Sequence, residues 1–477
     1  ITFELGDHND DLLDFPDAVY ISPNIPKTAD FVKKIYELSS KGKFDIIENK
    51  DVGNILNSLI AIPMVGIAGT DGKTTTTNMI NFALKDKFNT LIFSSLQDSL
   101  VIEGLVEMVV NSECENKDLA IFELPHGTIR MADGLELDFC VITNLTPDHM
   151  DEFENYEDYI TRNIAIEKLL KKNGLVLANG DDPIISSRLD TFNHDYIVYG
   201  LQNPQTVEFE GNTYYNDNVD YDIVATNIKL NGLDGSSYKI KSGDILTLVC
   251  NNCGKINYDL NNFNLDNLDS DSFDLNDSDS DNLDSDDFDL GICKCDNYSR
   301  KVIPSFEREV NIKVPGLINV ENSLATILSS LIMGIDLDDA INRMSSFKGV
   351  KGRFEKIDKL NGVNIFMDAA HNPESMEKLF SGFDISGKLI LSLDNPDTLT
   401  SRDKYKIGEV LGKVVDVLIV SSKNETTEFV DNNAAFEVLD GAFNVCSDIE
   451  TYVTENVSES IFNALSIADT GDTIIHI

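Results

Sequence analysis

Gly66-Ile67-Ala68-Gly69-Thr70-Asp71-Gly72-Lys73-Thr74-Thr75 is the stretch on which the reading of this chain turns. An apolar strand, Met64–Ala68, runs into a glycine loop, and threonines open a helix behind it. That order makes a nest of backbone N–H groups for the β- and γ-phosphates of a nucleotide, and the helix N-terminus adds favourable partial charge. Lys73 would contact the phosphates, and the Thr74 hydroxyl would ligate Mg²⁺. Ile67 stands where the eight-residue phosphate-loop pattern usually has its first glycine. The alternative, a plain glycine turn before a helix, leaves Gly-Lys-Thr-Thr after a strand as coincidence.

Outward from the loop, the chain reads as α/β. Strands are expected at Met64–Ala68, Thr90–Phe93, Leu119–Glu123, 140–144 and 174–178, short and apolar on both sides, with helical stretches between them. This is the pattern of a parallel sheet covered on both faces. Residues 18–30 read as a strand, a proline-punctuated loop and a helix cap, continued by an amphipathic helix over 31–38. A third α/β segment follows Gly349, with strands at 364–368, 389–393, 415–421 and 473–477. The length of 477 residues suits two to four domains. We divide it into a partial N-terminal domain (1–60), a central nucleotide-binding domain (61–348) and a Rossmann-like C-terminal domain (349–477). The N-terminal segment reads as the second half of a small domain. The chain lacks an initiator Met and stops inside its last strand, so both ends are expected to be incomplete.

Composition excludes some partners. With 38 basic against 82 acidic residues the net charge is −44, which repels nucleic acid and anionic lipid. Solubility or genomic bias accounts for such a balance better than a specific function does. No apolar run reaches membrane-spanning length, and residues 1–7 lack the basic start and apolar core of a signal peptide. A cytoplasmic protein is expected.

Cys114, Cys140 and Cys446 sit in apolar surroundings as ordinary core thiols. Cys250, Cys253, Cys293 and Cys295 form two close pairs, which in the cytoplasm points to a structural Zn²⁺ before a disulfide. The Cys-Asn-Asn-Cys spacing is a strong signal and Cys-Lys-Cys a weak one; reduced thiols are the alternative. An Asp-, Asn- and Ser-rich stretch over 257–290 lies between the pairs, and disorder is expected there. Its irregular Asp spacing, with no glycine at a turn position, disfavours a Ca²⁺ loop. Residues 245–300 thus read as a zinc-ribbon-like insertion.

Further segments carry chemistry. Glu123 ends an apolar strand, where a carboxylate faces the crevice in which ligands of parallel sheets bind. His149, in Thr143-Asn144-Leu145-Thr146-Pro147-Asp148-His149-Met150-Asp151, is one of six histidines; a helix-capping loop histidine is the plainer alternative. Asn319, Asn322 and Ala325 share a helical face by their i, i+3 spacing. Arg353 brings a planar fork of donors suited to phosphate, and Asp368 ends another apolar strand.

Gly69-Thr70-Asp71-Gly72-Lys73-Thr74-Thr75 resembles the phosphate loop of the Mur ligase superfamily, which includes peptidoglycan peptide ligases and folylpolyglutamate synthases. The other segments match that superfamily in order, over nearly the whole chain. The resemblance implies the three-domain architecture, ATP, and Mg²⁺ held by Thr74, Glu123 and, at a second ion, His149. It implies that Asn319 and Asn322 reach adenine, that Arg353 clamps the γ-phosphate, and that Asp368 holds the ribose. The reaction implied is amide-bond formation through an acyl phosphate. An amino acid would be joined to a UDP-linked or otherwise activated peptide precursor by a monomeric enzyme. One departure stands out: where the family commonly carries a carbamylated lysine four residues after a helical tyrosine, Tyr159 is followed by Asn163, with Lys168 a turn further on. Among members, the chain is most similar to the pseudomurein peptide ligases of methanogenic archaea. The rival readings are a Mur-like subunit of a glutamine-dependent amidotransferase, with a separate glutaminase subunit, and a non-catalytic nucleotide-binding scaffold.

Overall fold

The computed structural model describes residues 13–96, 102–203, 206–209, 212–216, 219–250, 256–257, 298–380, 385, 387–394, 403–421 and 432–477, positions 15, 24 and 61 excepted. The first elements are β1 (Ala18–Tyr20), α1 (Asp30–Ser40), β2 (Asp45–Ile47) and α2 (Asn49–Ile60). β1 and β2 pair in parallel across α1, a single β-α-β unit. One link to the next body is a buried amide. Asn49 Nδ2 donates to the Met131 carbonyl at 2.6 Å, and its Oδ1 accepts from Tyr20 Oη at 2.7 Å.

The central body continues with β3 (Met64–Ala68), α3 (Lys73–Leu84), β4 (Thr90–Phe93), α4 (Ile102–Val110), β5 (Leu119–Glu123), α5 (His126–Ile129), β6 (Leu137–Ile142), α6 (Tyr156–Ile164), β7 (Leu170–Asn179), α7 (Pro183–Ser186) and β8 (Asp195–Gly200). After a hairpin of β9 (Thr206–Phe209) and β10 (Asn212–Tyr215) come β11 (Ile223–Leu230) and β12 (Ser236–Ser242). Next are β13 (Ile245–Cys250), β14 (Ile256–Asn257), β15 (Tyr298–Ile303), β16 (Phe306–Ile312), α8 (Leu317–Ile332) and α9 (Leu337–Ser346). Nine strands form one sheet in the order β16-β12-β11-β8-β7-β6-β3-β5-β4.

The strands from β4 to β8 are parallel and covered on both faces, as their sequence requires. Val65, Ile67, Leu119, Ile121, Phe139 and Val141 face the core built with α3, α8 and α9. The alternate residues Met64, Ala68, Ala120, Phe122, Cys140 and Ile142 face the core built with α4, α6 and α7. This two-residue alternation is the pleat, and with both faces apolar the run looks continuous in sequence. The sheet is wider than its parallel core: β11, β12 and β16 extend it, with β12 antiparallel to both neighbours. Strand limits also move. β6 spans Leu137–Ile142 rather than 140–144, and β7 runs ten residues. Thr143 and Asn144 leave the ladder to hold a loop, as shown below.

β13 and β15 form an antiparallel ribbon beside the main sheet, with Cys250 opposite Tyr298. Cys253, Cys293 and Cys295, the side chain of Cys250 and the Asp-rich stretch lie outside the described residues.

The third body contains β17 (Glu355–Leu360), β18 (Val363–Met367), α10 (Pro373–Phe380), β19 (Leu389–Asp394), α11 (Lys404–Gly412), β20 (Val417–Ser421), α12 (Asn432–Val445), β21 (Glu450–Thr454), α13 (Val457–Ile467) and β22 (Thr473–His476). Its sheet order is β17-β18-β22-β19-β20-β21, parallel except for β17. Leu391 and Leu418 face α10–α12, whereas Ile390 and Ile419 face α13.

Asn49→Ala removes one of the amides that join the first unit to the central body, Asn57 being another, and takes the donor from the buried Met131 carbonyl. Unfolding in urea should show a loss of about 1–3 kcal/mol.

Candidate active site

The loop after β3 is held from the side by the residues that follow β6. Thr70 N donates to Asn144 O at 2.7 Å. Asn144 also holds the backbone of Asp71 through both of its polar groups: its Oδ1 accepts from Asp71 N at 3.0 Å, and its Nδ2 donates to Asp71 O at 2.9 Å. Thr143 Oγ1 donates to the same carbonyl at 2.7 Å. No side chain fits at Gly69, where φ is +131° and a Cβ would overlap Thr143 Oγ1. Gly72 has φ +82°, and a Cβ there would come within 2.5 Å of Asn322 Oδ1. Below the loop, the Thr70 hydroxyl shares a 2.5 Å hydrogen bond with Tyr159 Oη and donates to Thr146 O at 3.0 Å. The N–H groups of Lys73, Thr74 and Thr75 open α3, where a helix has no partners of its own to offer them.

A cavity of about 370 Å³ covers this loop and is lined by all three sets of motifs, from residues 69–75 to Arg353 and Asp368. Glu123, 4% exposed, occupies its floor at the end of β5. Its Oε1 accepts from Thr74 Oγ1 and its Oε2 from Ser95 N, both at 2.8 Å. Ser95 follows β4, so residues from the C-terminal ends of β3, β4, β5 and β6 meet here, as crevice sites in parallel sheets do. From the third body Arg353 Nη2 approaches Thr74 Oγ1 at 3.4 Å. Lys73 Nζ donates to Thr70 O at 2.6 Å. Burial draws its pKa below the usual lysine value, against the pull of Glu123, Asp71 and Asp148.

His149 takes a left-handed conformation, φ +53°. Its Nδ1 lies 3.2 Å from Glu152 Oε1 and its Nε2 3.6 Å from Asp148 Oδ2. His126, to which sequence reasoning gave no role, packs beside it with ring centroids 5.1 Å apart and reaches Glu152 Oε2 at 3.4 Å. Burial lowers the His126 pKa, the Glu152 hydrogen bond opposing.

On α8, Asn322 Nδ2 donates to Asn319 Oδ1 at 3.3 Å, so the two amides share a face as their spacing predicts. Asn322 is 3% exposed, and its Oδ1 accepts from Thr76 on α3 at 3.0 Å. Asn319 Nδ2 donates to Pro315 O at 2.7 Å. Both therefore brace α8 and stand on the cavity wall. Ala325 is fully buried. Asp368 accepts from Phe354 N and Ala370 N, each at 2.7 Å, and so fixes the turn that carries Arg353; burial raises its pKa against these donors.

The side chain of Asp71 points away from the nest. It accepts from Ser375 Oγ at 2.5 Å and Lys378 Nζ at 3.2 Å, both on α10 of the third body. Ser375 and Lys378 escaped the sequence reading; a lone cation three residues past a serine, on the helix after an Asp-Ala-Ala-His-Asn-Pro turn, was the available signal. Asn163 is fully buried, and its Nδ2 donates to Tyr159 O at 3.0 Å. Lys168 is exposed and does not replace it. Among the described residues no group of three or more His, Cys, Asp and Glu side chains is arranged to hold a metal.

Two family models match: the Mur ligase middle domain over residues 67–246 and the Mur ligase glutamate ligase domain over residues 352–476. The chain belongs to the Mur ligase family and is an ATP-dependent, ADP-forming acid–amino-acid ligase. It is 54% identical over 214 residues to an uncharacterized protein of Methanothermobacter thermautotrophicus, covering 45% of this chain and 68% of that one. It is 23% identical to the UDP-N-acetylmuramoyl-L-alanyl-D-glutamate–2,6-diaminopimelate ligase of Syntrophomonas wolfei, over 92% of this chain and 79% of that protein. Among solved structures, it shares the fold of a pseudomurein peptide ligase type C from Methanothermus fervidus (TM-score 0.55, 22% identity, 99% and 86% covered). It likewise shares that of the MurF ligase of Thermotoga maritima in complex with ADP (TM-score 0.59, 16% identity, 98% and 92% covered).

Glu321, on α8, is pushed up to about 8 by burial and by Asp181, against the pull of Lys378. The unfolded chain ionises this group near 4.5, so between those values the folded state holds the extra proton. Stability should therefore fall as pH rises through this window. Glu321→Gln should be more stable than the parent at pH 8, the gap closing towards pH 5, as measured by urea unfolding.

Proposed function

We propose that the cavity at the phosphate loop binds ATP and that the chain adds an amino acid to a nucleotide-linked or otherwise activated peptide precursor of a pseudomurein-type cell wall, in the cytoplasm. The observation that carries the site assignment is the meeting of Lys73, Thr74, Glu123 and Arg353, drawn from two bodies, over an open helix N-terminus. The family membership and the likeness in fold to a pseudomurein peptide ligase support the pathway.

The residues fit a divalent cation. Mg²⁺ takes oxygen ligands, and a hydroxyl and a carboxylate oxygen, Thr74 Oγ1 and Glu123 Oε1, meet at the cavity floor. Mg²⁺ takes few protein ligands and keeps several waters, so one carboxylate and one hydroxyl suffice. Thr74 and Glu123 would hold one ion and His149 would face a second; bound there, Mg²⁺ neutralises phosphate oxygens.

The substrate carboxylate attacks the γ-phosphorus and ADP leaves. The acyl phosphate so formed is attacked by the amino group of the incoming amino acid, which loses a proton as phosphate departs. The first domain would hold the precursor and the third the amino acid. Gly69, Thr70 and Gly72 shape the loop, and N–H groups up to Thr75 cradle the phosphates. Lys73, released from Thr70 O, and Arg353 neutralise charge as it moves to the leaving oxygen. Asp71 contributes its peptide, its carboxylate being turned to α10. Asn319 and Asn322 would meet adenine after an amide rearrangement, and Asp368 would meet the ribose.

Lys73→Ala should abolish substrate-dependent phosphate release while leaving the fold intact, a barrier increase of roughly 3 kcal/mol or more. Near-normal release would remove the ATP assignment. The four clustered cysteines are proposed to hold one structural Zn²⁺. Metal analysis of protein purified under reducing conditions without added zinc should give one ion per chain, and a value near zero rejects the site.

A further inference from the structure

The carboxylate of Asp71 sits in the loop that receives a triphosphate, where an uncompensated negative charge opposes the ligand. Within its own body the nearby cation does not bond to it: Lys73 Nζ is placed on Thr70 O. The hydrogen-bonding partners of the carboxylate are instead Ser375 Oγ and Lys378 Nζ. They lie on one turn of α10, whose Asn372 accepts from Ser375 N at 2.7 Å and so fixes the start of that helix. Lys378 lines the same cavity as Lys73 and Arg353; burial opposes the charge on its ammonium, and Asp71 favours it.

We propose that Ser375 and Lys378 are positioning residues, the first hydrogen-bonding Asp71 and the second neutralising it only when the third body is docked, so that nucleotide affinity and domain docking are coupled through this one carboxylate. This rests on the reading of the cavity as the ATP site. With α10 away, Asp71 repels the phosphates. With α10 docked, the carboxylate is compensated and Arg353 stands against Thr74. Linkage makes the effect reciprocal: nucleotide favours docking by the factor by which docking favours nucleotide.

The test is an equilibrium titration of ATP, in the presence of Mg²⁺, against the full chain and four variants. Lys378→Ala should weaken ATP about tenfold, because Asp71 loses its cation and keeps only the hydroxyl of Ser375. Asp71→Asn should remove the need for compensation, so Asp71→Asn/Lys378→Ala should bind ATP within about twofold of Asp71→Asn alone. Lys378→Arg should bind like the parent. A lysine that merely supports the fold would not have its loss repaired by changing Asp71. If Lys378→Ala does not fold, Lys378→Gln carries the same comparison. Parent-like binding by the neutral variant, or a double variant as weak as Lys378→Ala, overturns the proposal. A parent chain that binds no ATP overturns the site assignment itself, a separate outcome.

Discussion

The site depends on the grip of Asn144 and Thr143 on the backbone of Asp71. One amide side chain satisfies both the N–H and the C=O of that residue, in two successive peptide groups, and the threonine hydroxyl adds a second donor to the carbonyl. A glycine loop has many conformations open to it, and these hydrogen bonds select one. It also explains the neighbours. β6 must lie parallel beside β3 so that both strands end at the same edge. Gly69 must lack a side chain because Thr143 fills the space, and Gly72 because Asn322 approaches from α8.

The cavity is not uniformly acidic: its lining carboxylates Asp71, Glu123, Asp148 and Asp368 are accompanied by cations. A chain of net charge −44 would repel a nucleotide if its field were uniform, yet Lys73, Arg353 and Lys378 line a single cavity. Short-range pairing in a partly dry cleft outweighs the screened field of distant surface carboxylates. The two cations from the third body are available only where that body is docked, so the electrostatics of catalysis and the arrangement of domains are one problem.

Asn163 marks where this chain parts from the pattern it resembles. Beneath the site the position is filled by a short neutral amide bonded to the Tyr159 carbonyl, with its Oδ1 buried and unpartnered. Tyr159 itself is committed to Thr70, so this helix supports the phosphate loop from below. Whatever a charged group at this position would add to the cavity must here come from Glu123, His149 and their carboxylate neighbours.

The sequence by itself determined the α/β class, the parallel strands β3 to β7 and the phosphate loop, because these depend on local signals: apolar runs of strand length, glycines where no Cβ fits, and a Lys-Thr-Thr helix start. It also located Glu123, His149, Arg353 and Asp368, each beside a strand end or turn. Only the tertiary structure decided the antiparallel extension of the sheet, the role of Asn144, the pairing of His126 with His149, and the direction of the Asp71 side chain. Those depend on contacts between residues far apart in the chain. Asp71 and Lys378 are separated by 307 positions, and no periodicity or spacing carries information about a charge that is neutralised from another domain.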